Sequence, residues 1–159
     1  MERKYEYRRY LPQHQKDNRA LFITYSTWHR WPLPELAKSL ALESCLRANG
    51  RQYSLYAAVV MPDHVHLICI ALADKNGPIS IPEITRTIKS ESAHRINEAL
   101  RRTGRVWQDE SFDHVIRGDE SLRKKVQYIL ENPIRAGLVS PPDEYRWLWW
   151  DHDLVAAAS

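Results

Sequence analysis

The chain reads as an α+β fold: an antiparallel sheet with helices on one face and a further helix added toward the C-terminus. Three observations predict it. Short β-branched or aromatic runs occur at 21–28, 53–61 and 64–71. Segments with helical periodicity follow the first run at 35–48 and the third at about 81–102. Only Pro62-Asp63 and its neighbours separate the second and third runs, so these pair back as a hairpin.

Each element has its own local reason. Leu21 to Trp28 is rich in residues that suit a pleated surface, which predicts a strand. Pro32 and Pro34 then open a helix over Glu35 to Ala48, with Leu36, Leu40 and Leu46 among its apolar positions, and Asn49-Gly50 ends it. Tyr53 to Met61 and His64 to Ala71 are the hairpin strands, and Asp74 to Pro78 is a loop. A second helix starts at Ser80 or Ile81, with Pro82 in its first turn, and carries Ile84, Ile88, Ala93, Ile96 and Leu100 at near-helical spacing. Thr103-Gly104 stops it near Arg102. Val106 to Val115 reads as one or two short strands. A third helix begins near Asp119, where acidic residues suit the positive end of the helix dipole, and runs to about Glu131. The order β-α-β-β-α-β plus a helix is that of a ferredoxin-like split βαβ sandwich. That architecture hosts many functions and fixes none.

Composition narrows the class. The 159 residues suit one domain with a single core, at 43% hydrophobic and 27% charged. No apolar run approaches the ~20 residues of a membrane span, so no membrane partner is expected. The first ten residues lack the apolar core of a signal peptide. Cys45 and Cys69 stand apart in apolar contexts with no CxxC pair, and a reducing, cytoplasmic location is the expectation. Net charge is only +3, weak support for a nucleic-acid partner by itself. Its distribution is uneven. Residues 83–105 hold six basic side chains against three acidic ones, and 141–153 hold four acidic side chains against Arg146. A solvated helix face also accounts for the basic segment.

Chemistry enters at His64-Val65-His66. On a strand, residues i and i+2 share a face, roughly 6.6–6.8 Å apart, so two imidazoles can share one metal ion. A pair of sheet histidines with no ligand is the alternative. The third helix bears on the choice. Leu122, Val126, Ile129 and Leu130 form its apolar stripe, and Tyr128 falls on roughly the opposite side, where core packing does not explain it. Asn132 follows Tyr128 by one turn, which sets an amide beside the phenol, although Pro133 biases Asn132 toward the helix end. Glu131 is a second candidate oxygen donor, further off the tyrosine side. Histidine and oxygen ligands with open positions suit Mg²⁺ or Mn²⁺ engaging a phosphate, and a phenol can attack a phosphodiester so polarised. The phenol's ordinary pKa near 10 requires activation for that step. His14, His29, His94, His114 and His152 are scattered and read as structural or surface residues.

At this point a resemblance appears. Met61-Pro62-Asp63-His64-Val65-His66-Leu67-Ile68 resembles the HUH motif (histidine, hydrophobic, histidine) of single-tyrosine transposases of the insertion-sequence-200-like type. Tyr128-Ile129-Leu130-Glu131-Asn132-Pro133-Ile134-Arg135-Ala136-Gly137-Leu138-Val139 resembles the tyrosine-helix signature of the REP-associated tyrosine transposases. Val106-Trp107-Gln108 and Phe112 to Arg117 resemble the segment before that helix. Order and spacing agree from about Leu21 to Trp147. The resemblance implies one HUH transposase-like domain over 1–159, with a basic N-terminal arm at 1–19 and a tryptophan-rich tail at 140–159.

It also implies an activity. Tyr128 attacks single-stranded, REP-like hairpin DNA, leaving a 5′-phosphotyrosine and a free 3′-hydroxyl, and the conserved bond energy permits rejoining. His64, His66 and Asn132 (Glu131 as the lesser candidate) hold Mg²⁺ or Mn²⁺. Candidates for the DNA contacts are Arg3, Lys4, Arg8 and Arg9 with Tyr5, Tyr7 and Tyr10, then Arg86, Lys89, Arg95, Arg117 and Arg135. A basic groove with aromatic platforms suits a folded single strand. The family includes monomers and homodimers, and sequence does not choose between them. The tail residues Trp147, Trp149 and Trp150 depart from the family pattern and suit packing, self-association or base contact. A non-catalytic hairpin-binding regulator on the same fold is the alternative function. A small metal-binding or oligomerising module leaves the tyrosine helix unexplained.

Overall fold

A computed structural model of the protein describes residues 20–141 and 143–158. Arg3, Lys4, Arg8 and Arg9, and with them the arm at 1–19, lie outside the described residues. The elements in order are β1 (Leu21–Thr27), α1 (Glu35–Ala48), β2 (Tyr53–Val60), β3 (His64–Ala71), β4 (Ala73–Asp74), β5 (Gly77–Pro78), α2 (Ile81–Leu100), β6 (Trp107–Val115), α3 (Asp119–Arg135), β7 (Leu148–Trp150) and α4 (His152–Ala157). A turn at Trp28–Arg30 joins β1 to α1. The main sheet runs β6-β1-β3-β2-β7, every neighbouring pair antiparallel. Its first four strands have the ferredoxin-like order. The loop foreseen at Asp74 to Pro78 contains the small β4–β5 hairpin.

Both faces of the sheet are covered, which explains why β2 and β3 read as near-continuous apolar runs rather than alternating ones. Leu21, Ile23, Tyr25, Leu55, Val65, Leu67 and Cys69 face α1 and α2. Phe22, Tyr56, Val59, Ile68 and Ile70 face α3, through Leu122, Val126 and Ile129, and the short α4. The two expected helices therefore share one face, and the added tyrosine-bearing helix takes the other.

α1 has the expected bounds but not the expected stripe. Its buried line is Ala37, Ala41, Cys45 and Ala48, while Leu36 is 50% exposed and Leu40 and Leu46 pack only at the margin. The cause lies in the sheet. Tyr25 and Tyr53 rise from it to meet α1: the Tyr53 hydroxyl donates to the Cys45 carbonyl at 2.7 Å, and the Tyr25 hydroxyl lies 3.3 Å from Cys45 Sγ. With that volume supplied from below, only small helix residues fit. Burial of these tyrosines holds their phenols in the neutral form, with pKa values well above 10.

α2 begins as expected, with the Ser80 hydroxyl accepting from the Glu83 amide at 3.3 Å. Ile84, Ile88, Ser92 and Ile96 are buried. Trp107 Nε1 donates to Ser92 Oγ at 2.9 Å, tying α2 to the start of β6, which is one strand rather than two.

α3 runs four residues past its expected end, through Asn132 and Pro133 to Arg135. Proline removes one intrahelical donor, but the amides beyond it close the end: Ala136 donates to Asn132 O at 3.0 Å and Leu138 to Pro133 O at 2.9 Å. Gly137 supplies the left-handed residue at φ +73° that this ending requires. Of the tail, Leu148–Trp150 extends the sheet beside β2, Trp147 is buried, and its Nε1 donates to Ser39 Oγ at 3.0 Å. These tryptophans pack.

The small-residue stripe of α1 gives a stability prediction. Ala41→Leu forces an extra side chain into a fully buried position and should cost about 1–3 kcal/mol in chemical denaturation. Leu36→Ser, on the outer face, should change stability by no more than about 0.5 kcal/mol. The reverse ranking would disprove the packing described.

Candidate active site

The site forms where β1 and β3 run beneath α3. Thr24 on β1 lies directly across from His66 on β3, and Ser26 across from His64. Opposed residues of antiparallel strands share a face, so Thr24, His64 and His66 all point toward α3, as Phe22 and Ile68 do two residues further along. The imidazole rings of His64 and His66 stand 4.7 Å apart between centroids, inclined at 71°. The two residues are not equally sheltered: His66 is buried and His64 half-buried.

Each ring is oriented by its Nδ1. His64 Nδ1 lies 2.8 Å from Asp63 Oδ1, and His66 Nδ1 lies 2.7 Å from Thr24 Oγ1. In the tautomer that carries the proton on Nδ1, each ring donates to that oxygen and keeps a lone pair on Nε2. A metal-binding histidine needs this state, with its second nitrogen held by a carboxylate or hydroxyl. Burial is the largest influence on His66, followed by the charges of His64, Arg135 and Lys125, and together they pull its pKa down to about 4. The His66 ring is therefore neutral near pH 7.

The turn that carries Asp63 is held from both sides. The Thr27 amide donates to Asp63 O at 2.9 Å, the Thr27 hydroxyl to the same oxygen at 3.2 Å, and the Leu33 amide to Pro62 O at 2.7 Å. Arg30 reaches Asp63 Oδ2 at 3.5 Å. Arg30 and the preceding His29 both have left-handed backbone, φ 55° and 54°, which is uncommon outside glycine.

α3 supplies the second half of the site. The Tyr128 ring lies 5.8 Å from that of His66 and 6.1 Å from that of Phe22, both edge-on. Helical angle alone puts Tyr128 opposite the apolar stripe. The structure corrects this: the ring leans over the sheet at the flank of the stripe and remains 43% exposed. The Arg135 guanidinium lies 4.4 Å from the centre of the Tyr128 ring, and Lys125 Nζ lies 5.9 Å from it. Two cations thus border the phenol, and an anionic substrate group near it would meet positive charge.

The two candidate oxygen donors have separate fates. Asn132 is buried, on the sheet side of α3. Glu131 is exposed, accepts from Gln127 Nε2 at 2.6 Å and pairs with Arg135 at 3.4 Å, so its carboxylate is engaged along the outside of the helix. Among the described residues no three His, Cys, Asp or Glu side chains gather into a metal-binding group. A shared ion at the histidines would therefore complete its shell with amide, hydroxyl, water or substrate oxygens. This donor set suits Mg²⁺ or Mn²⁺ better than a closed zinc site.

The remaining basic residues divide. Arg135 belongs to the site, and Arg117 is exposed just after β6. Arg86, Lys89 and Arg95 lie on α2, across the sheet from the histidines. Lys89 Nζ donates to Gln108 O at 2.6 Å, Asp109 O at 3.1 Å and Ser111 Oγ at 3.0 Å, bracing α2 on β6. Desolvation lowers its pKa. Arg95 pairs with Glu43 of α1 at 3.2 Å. Arg86 lines an open cleft of about 500 Å³ between α2 and β6. Sequence reasoning missed Thr24, Phe22 and Lys125 as parts of the site. Their signal lies in the β1–β3 register, which no single segment carries.

Comparison with known proteins gives a consistent answer. The family model described as "Transposase IS200 like" matches residues 36–132, more than half of the chain. The REP-associated tyrosine transposase of Escherichia coli K12 is 26% identical, covering 67% of this chain and 60% of its own length. A putative REP-associated tyrosine transposase of Haemophilus influenzae is 27% identical, covering 65% of this chain and 62% of its own length. The chain thus spans about three-fifths of these curated relatives. Among solved structures, a REP-associated tyrosine transposase bound to a REP hairpin superposes with a TM-score of 0.60 at 24% identity, covering 76% of this chain and 70% of that one, a likeness of fold.

The depressed pKa of His66 has a measurable consequence. Protonating a group whose pKa is about 4 when folded and 6.5 when unfolded destabilises the fold. Its contribution is fully present above pH 6.5 and is lost as pH falls from 6.5 to about 4. In metal-free protein, His66→Gln should flatten the fall in stability over that window. NMR titration should find the His66 ring neutral down to about pH 4. A His66 midpoint near 6.5 would contradict the burial and charge account.

Proposed function

The chain belongs to the IS200-like transposase family, and on that premise we propose that it cuts and rejoins single-stranded, hairpin-forming DNA, with Tyr128 as nucleophile. The reading rests on one observation above the rest. The only tyrosine of α3 lies with its ring 5.8 Å from that of His66, one of a histidine pair whose Nδ1 atoms are both engaged. A structural tyrosine has no need of that neighbour. The names of the relatives, REP-associated tyrosine transposases, and the hairpin in the similar solved structure support REP-like palindromes as the substrate class.

In the proposed reaction the Tyr128 oxygen attacks a phosphodiester phosphorus. A bond forms between phosphorus and the phenolic oxygen, and the bond to the 3′ oxygen breaks. The phenolic proton is lost, and the departing oxygen gains one to become a 3′-hydroxyl. Attack by a 3′-hydroxyl on the phosphotyrosine reverses these changes, so joining needs no external energy source. His64 and His66, through Nε2, and Asn132, through its amide oxygen, would hold Mg²⁺ or Mn²⁺. When bound, the ion polarises the scissile phosphate and offsets its charge. Asp63 favours the Nδ1–H tautomer of His64, and Thr24, whose hydroxyl can donate or accept, orients the His66 ring. Arg135 and Lys125 lie beside the phenol and suit the phosphate's charge. Placement along α3 favours Asn132 over Glu131 as the oxygen donor, since Glu131 is engaged with Gln127 and Arg135.

The test uses labelled hairpin oligonucleotides with single-stranded flanks and added Mg²⁺ or Mn²⁺. Wild-type protein should form a covalent adduct that survives denaturation, and Tyr128→Phe should form none while still binding the DNA. Binding without cleavage under either metal would overturn the nuclease reading in favour of a non-catalytic binder. Asp63→Ala should weaken metal affinity by about 10–100-fold in a calorimetric titration, the usual effect of losing a group that orients a metal-binding histidine. An unchanged affinity would remove Asp63 from the site.

A further inference from the structure

Phe112 is the most exposed large apolar side chain among the described residues, at 68%. It lies on β6, an edge strand, directly across from Thr24, which in turn lies directly across from His66. Residues opposed in this way share one face. Phe112, Thr24 and His66 therefore form a row on the face that carries Tyr128. Two interstrand steps separate Phe112 from His66, about 10 Å.

The surface between them is aromatic. His114, two residues along β6 and on the same face, lies nearly flat against Phe22, with centroids 5.3 Å apart and planes 16° apart. Phe22 contacts the His66 and Tyr128 rings in turn. Positive charge borders this surface: Lys125 Nζ lies 5.3 Å from the centre of the Phe22 ring, and exposed Arg117 follows β6. Two of the three acidic residues of β6 are engaged or turned elsewhere. Asp113 lies across from Ile23, whose side chain enters the opposite core, and Asp109 pairs with Arg105 at 2.6 Å. Glu110 is the acidic residue nearest Phe112 on its own side of the strand.

We infer that Phe112 is a stacking platform for one unpaired base of the strand whose phosphate lies at Tyr128. Stacked nucleotides rise about 3.4 Å each along a strand, so 10 Å places that base about three nucleotides from the scissile bond. Aromatic side chains accept bases on their faces, and nearby cations accompany the backbone. A second copy of the chain is the competing occupant of an exposed edge-strand phenylalanine. Antiparallel self-pairing of β6 about its centre would set Asp109 of one copy across from Asp113 of the other, a like-charge pair that opposes it.

The inference rests on the proposed action on single-stranded DNA, and the experiment separates the two. A pool of hairpins with randomised single-stranded flanks is selected on wild-type protein in EDTA, and the tightest binder becomes the probe. Failure to select any binder would sink the proposed function. With a probe in hand, Phe112→Ala should weaken binding about 5- to 150-fold, the effect of losing one base stack. Phe112→Trp should retain binding, and Phe112→Leu, apolar but not planar, should resemble Ala. 2-Aminopurine placed singly through the flanks should be quenched by wild-type protein at one or two adjacent positions, and Phe112→Ala should abolish that quenching. Unchanged affinity and quenching in Phe112→Ala would overturn the inference and leave the proposed function standing. A change of oligomeric state in Phe112→Ala, seen by sedimentation, would also overturn it, assigning Phe112 to self-association.

Discussion

Everything at the site depends on the burial of β3 between two helical layers. The strand lies at the centre of the sheet, flanked by β1 and β2, with α1 and α2 on one face and α3 on the other. Its side chains alternate, so Val65, Leu67 and Cys69 must enter one core while Ile68 and Ile70 enter the other. His64 and His66 are then obliged to face α3. A slip of one residue would bury both imidazoles under α2 and lift Val65 and Leu67 onto the site, which makes the register strongly specified. The position of the histidine pair is a consequence of apolar packing, and the polar groups only refine it.

That refinement comes from two unlike anchors. Asp63 belongs to the hairpin turn, next in sequence to the histidine that it orients, and Thr24 is a neighbour across the sheet from the other. The turn anchor is local, but the backbone contacts from Thr27 and Leu33 make it rigid. The β1 anchor exists only once the sheet has formed. A hairpin of β2 and β3 alone would carry both histidines on one face with only His64 held. Completing the site also requires β1, and the phenol arrives only with α3, whose stripe of Leu122, Val126 and Ile129 seats it against the same core.

The strand-and-helix order was legible because alternation and helical period are local signals. The bounds of α1 and the start of β3 follow from Pro34, Asn49 and the Pro62-Asp63 turn alone. The buried line of α1 was not legible, because it is decided by Tyr25 and Tyr53 rising from the other layer. The end of α3 was misjudged for a related reason: the bias of Pro133 against helix is local, whereas the backbone bonds at Ala136 and Leu138 outweigh it. At the site, the histidine pair was visible in the i, i+2 spacing, and Tyr128 stood out as unsuited to the stripe. Thr24, Phe22 and Lys125 were invisible, because their membership depends on which strands are neighbours. The basic residues of α2 illustrate the opposite error. Lys89 and Arg95 read as free charge in sequence, yet one braces α2 on β6 and the other joins α2 to α1.

The same distinction locates positive charge where an anionic strand would need it. Net charge is only +3, so long-range attraction for an anionic strand is modest and the local placement of cations matters more. On the α2 face, Lys89, Arg95 and Arg105 each have an intramolecular oxygen partner. On the α3 face, Lys125 lies over Phe22 and beside Tyr128, and Arg135 lies against the Tyr128 ring while also pairing with Glu131. The exposed Arg135–Glu131 pair contributes little by itself and can give way to a phosphate, whose bidentate geometry suits a guanidinium, while the bond from Arg135 to the Tyr128 carbonyl at 2.5 Å keeps the guanidinium beside the phenol. Lys125, which lies over ring faces, is thus the cation beside the phenol best able to change partner. The chain ties Lys89, Arg95 and Arg105 into its structure on one face of the sheet and leaves the other face to aromatic rings, the histidine pair and Lys125, a division that the buried central strand makes possible.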